Sequence, residues 1–200
     1  MEEKIVYSVY AESNPNPAAM KFVANRFLLP NGSLEMNSVE EAAKSPLAAA
    51  LFKFPFVKAV FITSNFVTVI KNDMVPWDEV VLELREFIRG HLNSGGGVVQ
   101  EGVHLTEPDI SEPPRMAHAA ASSDVEQRII DILDEYVRPA VEGDGGHISF
   151  QSYAGGRVNV LLQGACSGCP SSTYTLKAGI EGLLKKMLPG EVEEVVAVNG

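Results

Sequence analysis

The sequence predicts an α+β protein: two small domains of mixed helices and strands joined by a flexible Gly/Pro-rich linker. Three observations predict it. In each half, short segments of alternating hydrophobicity stand beside longer segments of helical periodicity. Each half also holds a capping box, with Ser38 and Glu41 in the first and Ser123 and Glu126 in the second. Between them the composition breaks at SGGGVVQEGVHLTEPDISEPPRMAHAAASS, residues 94 to 123, which combines a triple glycine with three prolines and has no sustained period. The expected domains are residues 1–94 and 123–200, with a linker over 95–122. A flexible chain of that length has an end-to-end distance of about 30 Å.

The first half opens with alternating KIVYSVYAE, a turn at SNPNPAA, and a second strand through MKFVANRFLL, where Met20, Phe22, Ala24 and Leu28 share a side. Ser38 then starts a helix through VEEAAKSPLAAALF that Pro46 bends or breaks. VKAVFIT and FVTVIKN form a hairpin about Ser64-Asn65. Pro76 suits a first helical position and leads WDEVVLELREFIRGHL, with Val80, Leu84, Phe87 and Ile88 on one stripe. VVQEGVHL reads as linker, or else as an edge strand.

In the second half Ile129, Ile130, Leu133, Tyr136 and Val137 give a helix its buried face, and the helix ends around RPAVEGDGG. HISFQSY and RVNVLLQG flank Ala154-Gly155-Gly156 as a hairpin. Leu176, Ile180, Leu183, Leu184 and Met187 mark another amphipathic helix, and EVEEVVAVN is a last strand. In EGDGG, Glu142 and Asp144 are read as turn residues rather than as a catalytic acid pair. Trp77 and LFKFPF are read as core.

A net charge of -10 and a pI near 4.9 exclude the electrostatic attraction on which nucleic-acid backbones and anionic membranes draw. The start, MEEKIVYSVYAE, has the character of neither a signal nor a transit peptide, and the apolar stretches are broken by Lys and Pro before reaching bilayer length. The expectation is a soluble protein of the bacterial cytoplasm.

The chemistry lies in GACSGCPSST, residues 164 to 173. It holds Cys166 and Cys169, the only two cysteines of the chain. Structural zinc sites and iron-sulfur clusters normally take four protein ligands, whereas a dithiol redox centre takes two. In a reducing compartment the pair serves metal or redox chemistry rather than stapling the fold. The motif stands between a strand and a helix, where unpaired backbone N–H groups and the positive helix end favour thiolates. Pro170 suits a first helical position, and the small Gly164, Ala165, Ser167 and Gly168 let backbone approach a bulky cluster and offer N–H groups to sulfur.

Three readings follow. A thiol-disulfide oxidoreductase would use the pair alone, but that fold sets its CxxC in a βαβ arrangement, usually after an aromatic residue and with Pro between the cysteines. Here Ala165 precedes Cys166 and Ser-Gly separates the pair. A metal site must find more ligands. Of His91, His104, His118 and His147, two lie in the linker and only His147 opens a strand in the motif's own domain, and symmetry offers the simpler supply: two copies about a twofold axis bring four thiolates. Four thiolates suit zinc, 2Fe-2S and 4Fe-4S alike. A metal-free adaptor would leave the thiol pair without a role.

RPAVEGDGGHISF followed by GRVNVLLQGACSGCPSSTYTLKAGIEGLLKKMLP resembles the C-terminal domain of the NifU-like (Nfu) iron-sulfur cluster carriers across residues 125 to 198. SNPNPAAMKF resembles the Nfu N-terminal domain, departing at Pro17-Ala18-Ala19 from an Asn-Pro-Asn-Thr form. The resemblance implies a scaffold or carrier rather than an enzyme. It implies a 4Fe-4S cluster, with 2Fe-2S as the other type, bridged between two subunits by Cys166 and Cys169 of each. The implied partners are a second copy of the chain, an upstream cluster-assembly scaffold, and apo iron-sulfur proteins as clients.

Overall fold

The computed structural model describes residues 6–100, 118–167 and 170–199. Gly168 and Cys169 of the CxxC motif, His104 and the stretch 101–117 lie outside the described residues. The chain divides into two compact units, Met1–Arg115 and Met116–Gly200. Both are α+β.

The first unit is a five-stranded antiparallel sheet in the order β1-β2-β5-β4-β3. Strands β1 (Val9–Ser13) and β2 (Ala19–Ala24) flank the expected turn. There the Asn16 side chain accepts from the Ala18 N–H at 3.0 Å, the self-bonding geometry that makes Asn a turn residue. MKFVANRFLL is not one strand. After Ala24 the chain turns, the Ala24 N–H donating to Asn65 O (2.7 Å) and the Leu28 N–H to Ser64 O (2.8 Å). It then enters β3 (Leu29–Met36) at the opposite edge of the sheet. Pro30 and Asn31-Gly32 hide this strand from pattern reading. An edge position tolerates them, and a bulge between Leu29 and Ser33 takes up Gly32 at φ 73°.

Ser38 and Glu41 do interact, with the Glu41 N–H donating to Ser38 Oγ, but they open only a 3-10 turn over Glu41–Lys44. The chain breaks at Ser45, whose hydroxyl caps α1 (Pro46–Leu51) by accepting from the Ala48 N–H at 3.1 Å. β4 (Val57–Ser64) and β5 (Phe66–Lys71) form the expected hairpin, with Ser64 in the left-handed region at φ 46°. Helix α2 (Trp77–Asn93) starts after Pro76 and buries Val80, Leu84, Ile88 and Leu92. With Leu47 and Leu51 of α1, these pack on Phe22, Val60, Ile62, Val67 and Val69 of the sheet. Val98 and Val99, within the expected linker, also pack on this core, and Gln100 N–H donates to Lys44 O.

The second unit begins with α3 (Asp124–Ile132), capped by Ser123. The helix continues through a π-helical turn, Leu133–Val137, into α4 (Arg138–Gly143). Pro139 supplies a physical reason for the wide turn, since its ring lacks an N–H and crowds the preceding turn. Ile129, Ile130, Leu133 and Val137 are buried as expected, whereas Tyr136 is 50% exposed. β6 (Gly146–Ala154) and β7 (Arg157–Gly164) form a hairpin through Gly155 and Gly156, both at positive φ as a two-residue turn with the strands' own twist requires. Helix α5 (Pro170–Met187) then crosses to β8 (Glu194–Asn199), which pairs with β7 in parallel. Ile180 and Leu184 of α5, with Leu188 just beyond it, join Ile148, Phe150, Val160, Leu162 and Val195 in the core, whereas Met187, expected on the same stripe, is exposed.

Residues 118–121, also read as linker, lie along β6. The Ala119 N–H donates to Phe150 O at 2.9 Å, and the Phe150 N–H donates to His118 Nδ1 at 2.8 Å. No helix among the described residues is long and apolar enough to cross a membrane.

Candidate metal centre

The CxxC loop leaves the end of β7 and leads into α5, the strand-to-helix position expected from the sequence. What the spacing could not show is the loop's neighbour. The G-D-G-G turn that ends α4 lies directly against it, because Gly146 opens β6 opposite Gly164, the last residue of β7. The Ala165 N–H donates to Gly145 O at 3.3 Å, tying the two turns together. Gly145 (φ 71°) and Gly164 (φ 68°) both adopt the left-handed conformation that glycine takes without steric cost. Ser167 folds the loop back on itself, its N–H and its hydroxyl both donating to Gly164 O.

These bonds correct one expectation: the N–H groups of Ala165 and Ser167 serve carbonyl oxygens of the turns, so they are not held in reserve for sulfur. A second correction concerns the thiol. Cys166 is 7% exposed, and burial pushes its thiol up to about 11, with the negative charge of Asp144 adding to the rise. The thiolate favoured by a helix start is therefore not the resting form of Cys166. Asp144 behaves as the turn residue it was read to be, its N–H donating to Ala140 O at the end of α4. A third correction concerns topology. The motif does sit in a parallel strand–helix–strand unit, β7-α5-β8, so topology no longer separates it from the dithiol fold. The residues around the pair still do, since Ala165 rather than an aromatic precedes Cys166 and Ser-Gly, without Pro, separates the cysteines.

Sequence reasoning set the histidines aside, and the structure gives two of them definite places. His147 is buried next to Gly146, and desolvation followed by the nearby Arg138 guanidinium holds it down to about 4, so it is neutral. The His118 ring accepts from a backbone N–H at Nδ1, which leaves its proton on Nε2, 2.6 Å from Asp134 Oδ1. Arg138 also pairs with Asp134. No signal for this cluster was legible, since His118 stands in a stretch with no periodicity and its partners are 16 and 20 residues away. Among the described residues no group of three or more His, Cys, Asp or Glu side chains is placed to hold a metal ion.

One unit with a helix-covered antiparallel sheet and another with a strand-to-helix thiol loop packed on a glycine turn define a two-unit α+β class of protein. Comparison with known proteins assigns the class. Residues 9–95 match the family model for the scaffold protein Nfu/NifU N terminal, and residues 129–196 match that for the NifU-like domain. Among curated proteins, the chain is 32% identical over 191 residues to the human NFU1 iron-sulfur cluster scaffold homolog, mitochondrial, covering 95% of this chain and 71% of that one. It is 34% identical over 191 residues to the protein of the same name from Drosophila willistoni, covering 95% of this chain and 63% of that protein. NifU-like protein 4, mitochondrial, of Arabidopsis thaliana is 34% identical over 178 residues, with 88% and 61% covered. The chain belongs to the NifU-like (Nfu) family. It spans a little under two thirds of the length of the insect and plant relatives. Their names place those relatives in mitochondria, at odds with the bacterial cytoplasm expected from the first residues.

Proposed function

We propose that this chain is an iron-sulfur cluster carrier, not an enzyme, that holds a 4Fe-4S cluster between two copies of itself through Cys166 and Cys169 of each. The observation that carries the reading is the thiol count: two cysteines in the whole chain, in one loop, within a domain of a family whose relatives are named iron-sulfur cluster scaffolds. Four thiolates complete either a 4Fe-4S or a 2Fe-2S cluster, and a twofold pair of loops supplies them. A cluster shared between subunits is released when they part or when an acceptor thiol attacks. A ferredoxin encloses its cluster with cysteines of a single chain.

An upstream scaffold that assembles the cluster would be the donor, and apo iron-sulfur proteins the clients; nucleic acid and membrane are not partners. Residues 1–94 and 123–200 act as the two domains. Anaerobic incubation with iron and sulfide, followed by iron and sulfide determination and native mass measurement, tests the reading. One cluster per two chains, with the spectroscopic signature of 4Fe-4S, is expected. A cluster retained by single chains would rule out the bridge, and uptake of zinc alone would rule out the carrier.

A further inference from the structure

If the cluster is bridged, each Cys166 Sγ must reach outside its own chain, yet the sulfur is buried against the start of β6. A Cβ built on Gly146 would stand 2.5 Å from Cys166 Sγ, 3.0 Å from the Gln163 carbonyl oxygen and 3.1 Å from the Cys166 Cβ, so the sulfur is the tightest of the three contacts. Gly146 is not among the glycines with positive φ, so its backbone angle does not demand glycine; the space does. Gly143, three residues earlier in the same turn, meets nothing within 4 Å and gives the contrast. The sulfur therefore occupies the volume that a side chain at position 146 would fill.

We propose that Gly146 is a positioning residue: lacking a side chain, it gives the Cys166 thiol a sheltered seat in the unloaded protein, and loading turns the sulfur out of that seat toward the second chain. The sheltering rests on the geometry alone; the turning-out rests on the carrier reading. The step breaks no covalent bond and needs only rotation about the Cys166 side chain with adjustment of its loop.

The test starts from the metal-free full-length chain carrying Cys169→Ser, in which Cys166 is the sole thiol, and follows its alkylation by iodoacetamide at fixed pH. Adding Gly146→Ala is expected to speed alkylation by about tenfold or more, because the expelled sulfur becomes accessible to the reagent. Adding Gly143→Ala is expected to leave the rate unchanged. General loosening of the fold is separated by a double-mutant cycle on denaturant stability. Gly146→Ala should cost clearly less when Cys166 is also Ala, since the tightest contact, the sulfur, is then gone while the Gln163 carbonyl stays. An unchanged alkylation rate, or an equal cost with and without the sulfur, overturns the sheltered seat. With both cysteines present, Gly146→Ala is expected to take up cluster from iron and sulfide at least as fast as wild type, and slower uptake overturns the turning-out. If wild type takes up no cluster, the carrier reading fails while the alkylation result still decides the seat.

Discussion

The two units bury polar groups in different ways. In the first, the buried polar side chains are spread through the sheet and serve the fold: Ser45 caps α1 and donates to Val98 O, Thr63 donates to Gly32 O, and Lys21 pairs with Glu12 while lying over the Phe66 ring. In the second, Glu126 is buried at the start of α3, and His147, Ser149 and Cys166 are buried at or near one end of the β6–β7 hairpin, where Gly145 and Gly164 also adopt left-handed angles. The positive-φ residues described in the first unit, Gly32, Ser64 and Gly95, stand instead at a bulge, a hairpin and a helix end. Both units use glycine as structural punctuation, the second also at Gly155-Gly156 and Gly190; the contrast teaches that only the second gathers left-handed glycines and buried polar groups around a sulfur as well.

The sharpest way to break that contrast is to remove the sulfur. Cys166→Ser and Cys169→Ser should each abolish stable cluster retention, measured as iron and sulfide after desalting, because in the proposed bridge each deletes two of four thiolates. Helix and strand content, read by circular dichroism, should persist in both variants. A normal cluster in either would show that the thiols do not hold it.

Core truncation tests whether the units are energetically separate. Leu84→Ala removes a fully buried side chain from α2 and should destabilise the first unit by about 2–5 kcal/mol. Hydrogen exchange should quicken throughout β1–β5 and leave β6–β8 protected. Equal loss of protection in both units would mean that they unfold as one.

Acid should discriminate between them too. His147 titrates near 4 in the folded chain and near its ordinary 6.5 when unfolded. Between those values the unfolded state binds the extra proton, so stability rises with pH, is fully present above about 6.5, and is lost as pH falls toward 4. The second unit should thus lose on the order of 3 kcal/mol across that window. Urea titrations at several pH values, read by exchange in β6–β8, would show it, and His147→Asn should flatten the dependence.

The smallest effect sits in the first unit. Ser45→Ala removes the α1 cap and leaves Val98 O without its donor, costing about 1–2 kcal/mol. A loss of midpoint confined to the first unit's transition is expected, and an unchanged midpoint would deny the cap its role.

What was legible in the sequence was whatever a local period or a local turn encodes. The β4–β5 and β6–β7 hairpins, the stripe of α2, the break before Pro46 and the strand-to-helix place of the CxxC all follow from residues a few positions apart. β3 was not legible, because Pro30 and Gly32 mask a strand that its bulge and edge position permit. Nor was the attachment of His118 and Ala119 to β6, which depends on partners about 30 residues away. At the site, the two thiols were plain, but the space that Gly146 leaves for Cys166 arises only when the hairpin brings residues twenty apart together.

The central claim is that the thiol-bearing unit carries a cluster in order to give it away. The most direct measurement loads the protein with iron and sulfide, mixes it with an apo iron-sulfur enzyme in the presence of a modest chelator, and follows recovery of that enzyme's activity. The account predicts recovery faster than with equal free iron and sulfide, and none with Cys166→Ser or Cys169→Ser. Recovery no faster than with free iron and sulfide, from a cluster that cycles between oxidation states without loss, would contradict it and mark the protein as an electron carrier.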